Sequence, residues 1–540
     1  MITVQLGQCG QQLGCSFFQG MASEFGAQDY GRPALEQWFR PVSDHAATQW
    51  SPSSGSPGHG GIISHTARAV LIDMEPKVVN AVKHAARVTG KWWSYPPKSS
   101  LCMDSGAGNN WANGYHGYGP SVREPALDLI RREVEACDVL EGFLLLQSMA
   151  GGTGAGLGTY VATALRDEYP ATHALNCCVW PYESGEVIVQ SYNTLLTLSH
   201  LHCVSDGIIT LENDALHRCC TRLMQIPRPS FADMNAVAAQ SLTAALLPST
   251  VRPPKHPTAP TSPNGVHTPS HRGSAQSQSV RARKGFERSP ASAVRDGRDD
   301  ATAQRPVRLL SDVVTHLCCH PMYRMLSLRS LPQVPSGSID FTTFTWPAIT
   351  KRLRQMLITG SSLEEGLDWG VSTSPSHASP SLQPTTSPRL HHSPGAGLAG
   401  TASAGKGSLA SSSHSQPALM HGRHINKSLA SWLVLRGQGA GTVDVGDLFA
   451  DPALYPWWAV NPLLVSSHAS PFAKCTMSAA MLSNDQSCVA PIEHMQERAY
   501  SMLSSRAYVH QYEKYGMTAH DFHECFAQVE EIAERYRLLQ

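Results

Sequence analysis

Apolar and polar positions along the first 250 residues alternate between two periods. Ile2–Leu6, Ala69–Met74, Gly142–Gln147, Leu175–Trp180 and Ile208–Leu211 are short apolar runs of strand length. Between them, Gln11–Glu24 sets Leu13, Phe17, Phe18 and Met21 at helical spacing, and Leu157–Glu168 and Val187–Leu201 also read as helices. Strands alternating with helices predict a parallel, doubly wound sheet, and so an α/β fold class. Ligands of such sheets sit outside the carboxyl ends of the strands, so the turns there are where chemistry is expected. Further along, the pattern predicts a buried helix at Asp312–Cys319, strands at Met325–Leu331 and Phe341–Thr345, a helix at Trp346–Ile358 and a strand at Ser431–Leu435. Two helical stretches, Glu493–Tyr512 and Ala519–Leu538, close the chain. The expected architecture is an N-terminal doubly wound parallel-sheet domain, a second, smaller α/β domain and a C-terminal helical layer.

Two stretches break the pattern. Residues 251–305 are rich in Pro, Ser, Arg and His, with 10 Lys/Arg against 4 Asp/Glu. Residues 371–421 are dominated by Ser, Pro, Gly, His and Ala, with Arg389 and Lys406 and no acid. Neither holds enough apolar residues to offset its ordering entropy, so both are expected to be disordered insertions. The expected division is a ligand-binding domain at 1–250, the insertion 251–305, and a core helix with the start of the second domain at 306–370. The insertion 371–421, the rest of the second domain at 422–490 and the closing helices at 491–540 follow. Ser51–Gly61 reads as a surface loop.

Composition narrows the function. Across 540 residues, 42 Lys and Arg balance 42 Asp and Glu, which argues against a nucleic-acid binder driven by bulk charge. No apolar run reaches the roughly 18 residues a membrane helix needs, and no secretory signal is visible at Met1–Val4. The 14 cysteines form no Cys-x-x-Cys, which points to reduced thiols in the cytoplasm rather than a disulfide scaffold.

Four turns after the strands carry the candidate chemistry. The first is Gly7-Gln8-Cys9-Gly10-Gln11-Gln12, where glycines let backbone N–H groups approach a phosphate at a helix N-terminus. The second, Asp73-Met74-Glu75-Pro76, offers two carboxylates suited to Mg²⁺ beside such a phosphate. The third is Ser105-Gly106-Ala107-Gly108-Asn109-Asn110. The fourth, Ala150–Gly158 after Leu144–Ser148, is a glycine nest with one hydroxyl, Thr153, between strand and helix. Any one of these turns is ordinary punctuation, whereas four in order after strands are not. Gly400–Gly407 nearly matches a P-loop, but Gly407 replaces the required Ser/Thr and no strand precedes it. His316 and His320 have zinc-like helical spacing, yet a core helix with buried cysteines is the better reading. Trp92-Trp93, Trp432 and Trp457-Trp458 read as core or subunit-contact residues. The basic run Arg281–Lys284 reads as a solvated charge run.

The run Gly151-Gly152-Thr153-Gly154-Ala155-Gly156 resembles the signature Gly-Gly-Thr-Gly-Ser-Gly of the tubulin superfamily, with Ala155 for Ser. Gly7-Gln8-Cys9-Gly10, Asp73-Met74-Glu75-Pro76, Gly106–Ala112, Glu212–Leu216, Phe231-Ala232-Asp233-Met234-Asn235 and Arg506–His510 are similar to the matching family segments. Bacterial FtsZ shares the glycine loop but not the C-terminal region. Within the superfamily, Thr342–Trp346, Arg354–Ile358, Glu364–Trp369 and Asp451–Tyr455 resemble the delta class, which is associated with centrioles and basal bodies and with triplet microtubules.

The resemblance implies a tubulin/FtsZ-like fold, GTP with Mg²⁺ as cofactors, and a cytoplasmic, cytoskeletal place at the centriole or basal body. Implied partners are other tubulins (alpha and beta, with epsilon a further candidate) and centriolar or basal-body proteins, with no nucleic acid and no membrane. It implies that Gln8, Cys9 and Gln12 line the nucleotide and that Glu75, backed by Asp73, holds Mg²⁺. Asn109, Ser148, Ala150 and the nest Gly151, Gly152, Thr153, Gly154, Ala155 and Gly156 would take the phosphates. Glu186 and Gln190 would face the ribose, Gln190 standing where the alpha and beta pattern has Glu. Asn213 and Asn235 would read the guanine edge, since an amide both donates and accepts. Phe231 replaces a family Tyr and keeps the stacking ring.

Aligning Asp312 with the family's Asp puts Thr315 where an alpha-type subunit has its catalytic Glu. Threonine cannot polarise water as a carboxylate does, so no activation of hydrolysis in a neighbour is expected. The run Ala533–Gln540 carries no acidic tail, so proteins that grip such tails are not expected to find that handle. The implied function is a structural GTP-binding subunit, at most a weak GTPase. The rival is a regulatory GTP-binding protein that does not enter a microtubule lattice.

Overall fold

The computed structural model of the chain describes residues 1–42, 64–103, 105–185, 187–252, 305–373 and 425–539. Ser51–Gly61, Arg281–Lys284, Gly400–Gly407 and most of both Pro- and Ser-rich stretches lie outside them. The strands of the main sheet are β1 Ile2–Leu6, β2 Ala69–Asp73, β3 Ser100–Cys102, β4 Gly142–Ser148, β5 His173–Trp180 and β6 Gly207–Glu212. They continue as β7 Thr250–Val251, β8 Arg305–Pro306, β9 Met325–Leu331, β10 Ser428–Gly437, β11 Leu463–His468 and β12 Met477–Asp485. The principal helices are α1 Gly7–Ala27, α2 Pro76–Thr89, α3 Gly119–Glu135, α4 Gly158–Glu168 and α5 Gln190–Val204. After these come α6 Phe231–Leu246, α7 Leu309–Leu317, α8 Trp346–Thr359, α9 Val489–Ser504 and α10 Ala519–Arg537.

All of these strands belong to one sheet, in the order β8-β7-β11-β10-β12-β9-β6-β5-β4-β1-β2-β3. From β3 through β9 every neighbour runs parallel. The segment β3-β2-β1-β4-β5-β6 has doubly wound order, and its winding reverses between β1 and β4, where Val4 lies opposite Leu145. That reversal opens a crevice at the carboxyl ends of the two strands. Beyond β9 the pairing turns antiparallel through β12 and β10.

Both faces of the parallel part are covered, which is why its strands read as continuous apolar runs. Ile2, Val4, Leu6 and Leu145 face one core with α3, α4 and α5, onto which α9 and α10 pack. Leu71, Leu144 and Leu146 face the other, with Leu13, Phe17, Phe18 and Met21 of α1 and Leu242 of α6. A third core gathers Leu353, Met356 and Leu357 of α8 against Leu433, Leu435 and Met481. Helix starts follow local chemistry. Pro76 opens α2, and Ser230 with Asp233, and Thr518 with Asp521, form capping boxes on α6 and α10. The buried Arg436 donates to the carbonyls of Ala244, Leu247 and Pro248 and so closes the C-terminal end of α6.

Several expectations are corrected. Phe341–Thr345 is not a strand: Ser336–Phe341 is a 3-10 helix and Phe341 is 91% exposed. The neighbouring β9 is already paired on both sides, by β6 and β12, and offers no edge. The long helix expected at Glu493–Tyr512 breaks after Ser504, where Arg506 and Tyr508 take left-handed backbone angles, and Val509–Glu513 forms a separate turn of helix. Strands β11 and β12 had no counterpart in the sequence pattern. At the ends of the two Pro- and Ser-rich stretches, Val251 pairs with Arg305, Val371 is buried, and Thr373 donates to Asp451.

His316 and His320 do not converge. The first contacts the Ser431 carbonyl and the second accepts from the Met322 N–H. No cluster of three metal-ligating side chains occurs among the described residues. All 14 cysteines are free thiols. Trp432 is buried and donates to Ser466, whereas Trp457 is 90% exposed. Among the described residues, no helix is long and apolar enough to cross a membrane.

The sheet carries one fully buried ion pair, Arg329 of β9 with Asp485 of β12 at 2.8 Å. Burial by itself would raise the Asp485 carboxyl; Arg329 and the hydroxyls of Ser483 and Ser487 outweigh it and hold the group below the usual carboxylate range. Its stabilising contribution is therefore complete above the unfolded value of about 4 and is lost as pH falls through the folded one. Arg329→Met strands the carboxylate and should cost about 3–5 kcal/mol in urea unfolding. Arg329→Met with Asp485→Leu should recover much of that loss.

Candidate functional site

The crevice between β1 and β4 exists because the backbones around it approach more closely than side chains allow. Gly7, at φ 68°, ends β1, and a Cβ there would lie 2.8 Å from the Gly154 nitrogen. A Cβ on Gly10 would lie 2.2 Å from the Leu146 carbonyl. Gly152 packs in the same way on Ala107 and Asn110. These contacts join the first, third and fourth turns into one floor.

Above that floor lies a cavity of about 430 Å³. Gln8, Cys9 and Gln12 reach it from the first turns of α1, Asp73 and Glu75 from the end of β2, and Asn109 from the third turn. Ser148, Ala150, Gly151, Gly152, Thr153 and Gly154 line it from the end of β4, and Gln190 from the start of α5. Asn213, just after β6, and Phe231 and Asn235, one turn apart on α6, complete it. Phe231 is 45% exposed, so its ring is open to stacking.

Two expected residues fall elsewhere. Ala155 is fully buried in the core behind the nest. Gly156 packs on Trp111, where a Cβ would lie 2.1 Å from the carbonyl oxygen. Glu186 lies outside the described residues. The expectation missed Val78, Val179, Pro181, Tyr182 and Val187, which also line the cavity. Val179 lies at the end of β5 and Pro181 and Tyr182 directly follow it, so the rule that ligands sit beyond strand ends pointed to these three. Gln190 is partly committed: its Nε2 donates to the Tyr182 carbonyl at 2.6 Å and holds that wall.

The electrostatics favour a cation beside an anion. Burial pushes the Asp73 carboxyl up to about 6, opposed by the N–H groups of Met74 and Glu75. Its Oδ1 accepts from Met74 N at 2.8 Å, and its buried Oδ2 has no protein partner. With the exposed Glu75 carboxylate beside it, the donor set is hard oxygen, which fits Mg²⁺ shared with phosphate and water. Burial also pushes the Cys9 thiol up to about 12, so it faces the cavity as a neutral group.

A sheet wound in this order, with a glycine nest at its switch point, defines a tubulin/FtsZ-type nucleotide-binding protein. The model of the Tubulin/FtsZ family GTPase domain matches residues 1–221. Over 548 aligned residues the chain is 35% identical to the tubulin delta chains of Macaca fascicularis and Mus musculus, covering 99% of this chain and 99% and 98% of those proteins. A tubulin beta-1 chain of Chondrus crispus is 34% identical over 238 residues, 44% of this chain and 50% of that one. The chain belongs to the tubulin family and is a delta-like, GTP-binding member of it.

Gly7→Ala should force apart the first and fourth turns. A loss of about 1–3 kcal/mol in thermal unfolding is expected from the left-handed φ and the clash, together with a fall in retained guanine nucleotide.

Proposed function

We propose that this protein is a GTP- and Mg²⁺-binding structural subunit that works with other tubulins at the centriole or basal body. Its task there is to assemble or maintain triplet microtubules and so to support cilium and flagellum formation. The observation that carries this reading is the convergence of glycine turns, two carboxylates, two asparagines and an open aromatic ring on one cavity at the switch point. The likeness to delta chains along the whole length supports the centriolar part.

In this reading the backbone N–H groups of Gly151–Gly154 and the first turn of α1 cradle the phosphates. Asn213 and Asn235 pair with the guanine edge while Phe231 stacks on the base. Asp73 and Glu75 hold Mg²⁺, which when bound neutralises phosphate charge. Alpha, beta and epsilon tubulins and centriolar proteins are the proposed partners, in the cytoplasmic cytoskeleton.

Hydrolysis is not the main task. Thr315 is exposed on α7 and its hydroxyl donates to the Ser311 carbonyl at 2.6 Å. Asp312, the nearest carboxylate on that helix, is held by both guanidinium nitrogens of Arg305 at 2.8 Å. Among the described residues, α7 itself thus offers no free carboxylate at the Thr315 position to polarise water for a neighbouring subunit.

The first test is to denature the purified protein and chromatograph what it releases. Stoichiometric GTP or GDP is expected; bound ATP, or no binding after adding GTP and Mg²⁺, would overturn the reading. Asn235→Ala should weaken GTP about tenfold, the worth of one buried hydrogen bond of about 1.4 kcal/mol. Adding the protein to alpha/beta tubulin should not accelerate the partners' GTP hydrolysis. Acceleration would sink the argument from Thr315.

A further inference from the structure

Asn193, on α5, is fully buried and lies outside the cavity wall, yet its amide meets two of the site's turns. Its Nδ2 donates to the Asn109 carbonyl at 2.8 Å and to the Ala150 carbonyl at 2.7 Å. Its Oδ1 accepts from the Trp111 N–H at 3.1 Å and from the Tyr512 hydroxyl at 2.6 Å. A side-chain amide has two donor and two acceptor positions, and all four are used here. One buried group therefore spans the third turn, the fourth turn and the C-terminal layer.

What the amide holds is costly to hold. Gly108 and Asn109 take consecutive left-handed backbone angles, at φ 61° and 52°. For Asn109 that conformation persists only where the surroundings fix it, and the bond from Asn193 to its carbonyl fixes it. The two carbonyls and the Trp111 N–H fix which end of the amide is the oxygen, and the Tyr512 hydroxyl braces that oxygen with the shortest bond of the four. The C-terminal segment is itself docked by neighbouring bonds: Asn110 Nδ2 to the Gln511 carbonyl at 3.1 Å and the Tyr192 hydroxyl to the Ala507 carbonyl at 3.2 Å.

We infer that Asn193 and Tyr512 are positioning residues for the nucleotide, which hold the third and fourth turns in the register that receives its outer phosphates. The inference rests on the reading of the cavity as a guanine-nucleotide site. It makes the C-terminal layer part of the site's second wall: a change at Tyr512 reaches the phosphates through one amide.

The test compares GTP with GMP, which presents only one phosphate to those turns, by calorimetry on the full-length chain with Mg²⁺. Tyr512→Phe keeps the ring and removes only the hydroxyl. It should weaken GTP about tenfold, as the loss of one buried hydrogen bond does, and leave GMP affinity unchanged. Asn193→Ala should weaken GTP further; should it fail to fold, Tyr512→Phe carries the test. Tyr192→Phe removes a docking bond of the same segment without touching either turn, and should change neither affinity. Unchanged GTP binding by Tyr512→Phe, or equal losses for GTP and GMP, would overturn the inference while leaving the guanine site standing. A wild-type chain that binds neither nucleotide overturns the site and the inference together.

Discussion

The whole site depends on backbone touching backbone. At the switch point of the sheet, the turn after β1 lies against the turn after β4 with no side chain between them, because Gly7, Gly10 and Gly154 have none to interpose. Close packing of that kind brings both turns to the floor of one cavity, where backbone N–H groups can collect an anion. The remaining elements are arranged around this contact. The carboxylates of Asp73 and Glu75 end the adjacent strand, the third turn closes over Gly152, and α6 brings Phe231 and Asn235 from the far side.

The central helix α6 and the C-terminal layer then give the site its frame. Phe231 and Asn235 sit at the N-terminal end of α6, and its C-terminal carbonyls are gripped by the buried Arg436 of β10. Burial lowers the Arg436 guanidinium to about 10, with Tyr30 and Glu24 opposing, so it remains charged at neutral pH. A cation at that end complements the helix dipole. The helix that brings Phe231 and Asn235 to the cavity is thus tied at its far end to the antiparallel half of the sheet, and the third and fourth turns are tied through Asn193 to the closing helices.

Much of the fold was legible because the parallel strands are buried on both faces. Such strands are mostly apolar, and β1, β2, β4, β5, β6 and β9 announced themselves as runs despite buried polar members such as Gln5, Asn176 and Arg329. The strands that escaped notice carry little of that signal: β12 reads Met-Ser-Ala-Ala-Met-Leu-Ser-Asn-Asp, and its pairing with β10 and β9 is what makes it a strand. Phe341–Thr345 shows the reverse error, β-forming residues with no edge to join. At the site, motif spacing identified the turns but not which of their residues face outward. Gly152 and Gly154 do, while Ala155 and Gly156 turn inward to start the helix. The part played by Asn193 was invisible, since the hydroxyl that braces it belongs to a residue 319 positions away.

The strands β7 and β8 at the opposite edge of the sheet from β3 have a different kind of consequence. Val251 and Arg305 face one another there, in register, so the chain departs and returns through adjacent doorways. The entropy of closing a loop grows only with the logarithm of its length, about 0.6 kcal/mol for each doubling. Added length between two such paired residues therefore costs little in closure entropy, while a single methyl group at Gly10 would meet the Leu146 carbonyl. The same molecule thus has one address where added length costs little and another where the fit is constrained to the atom.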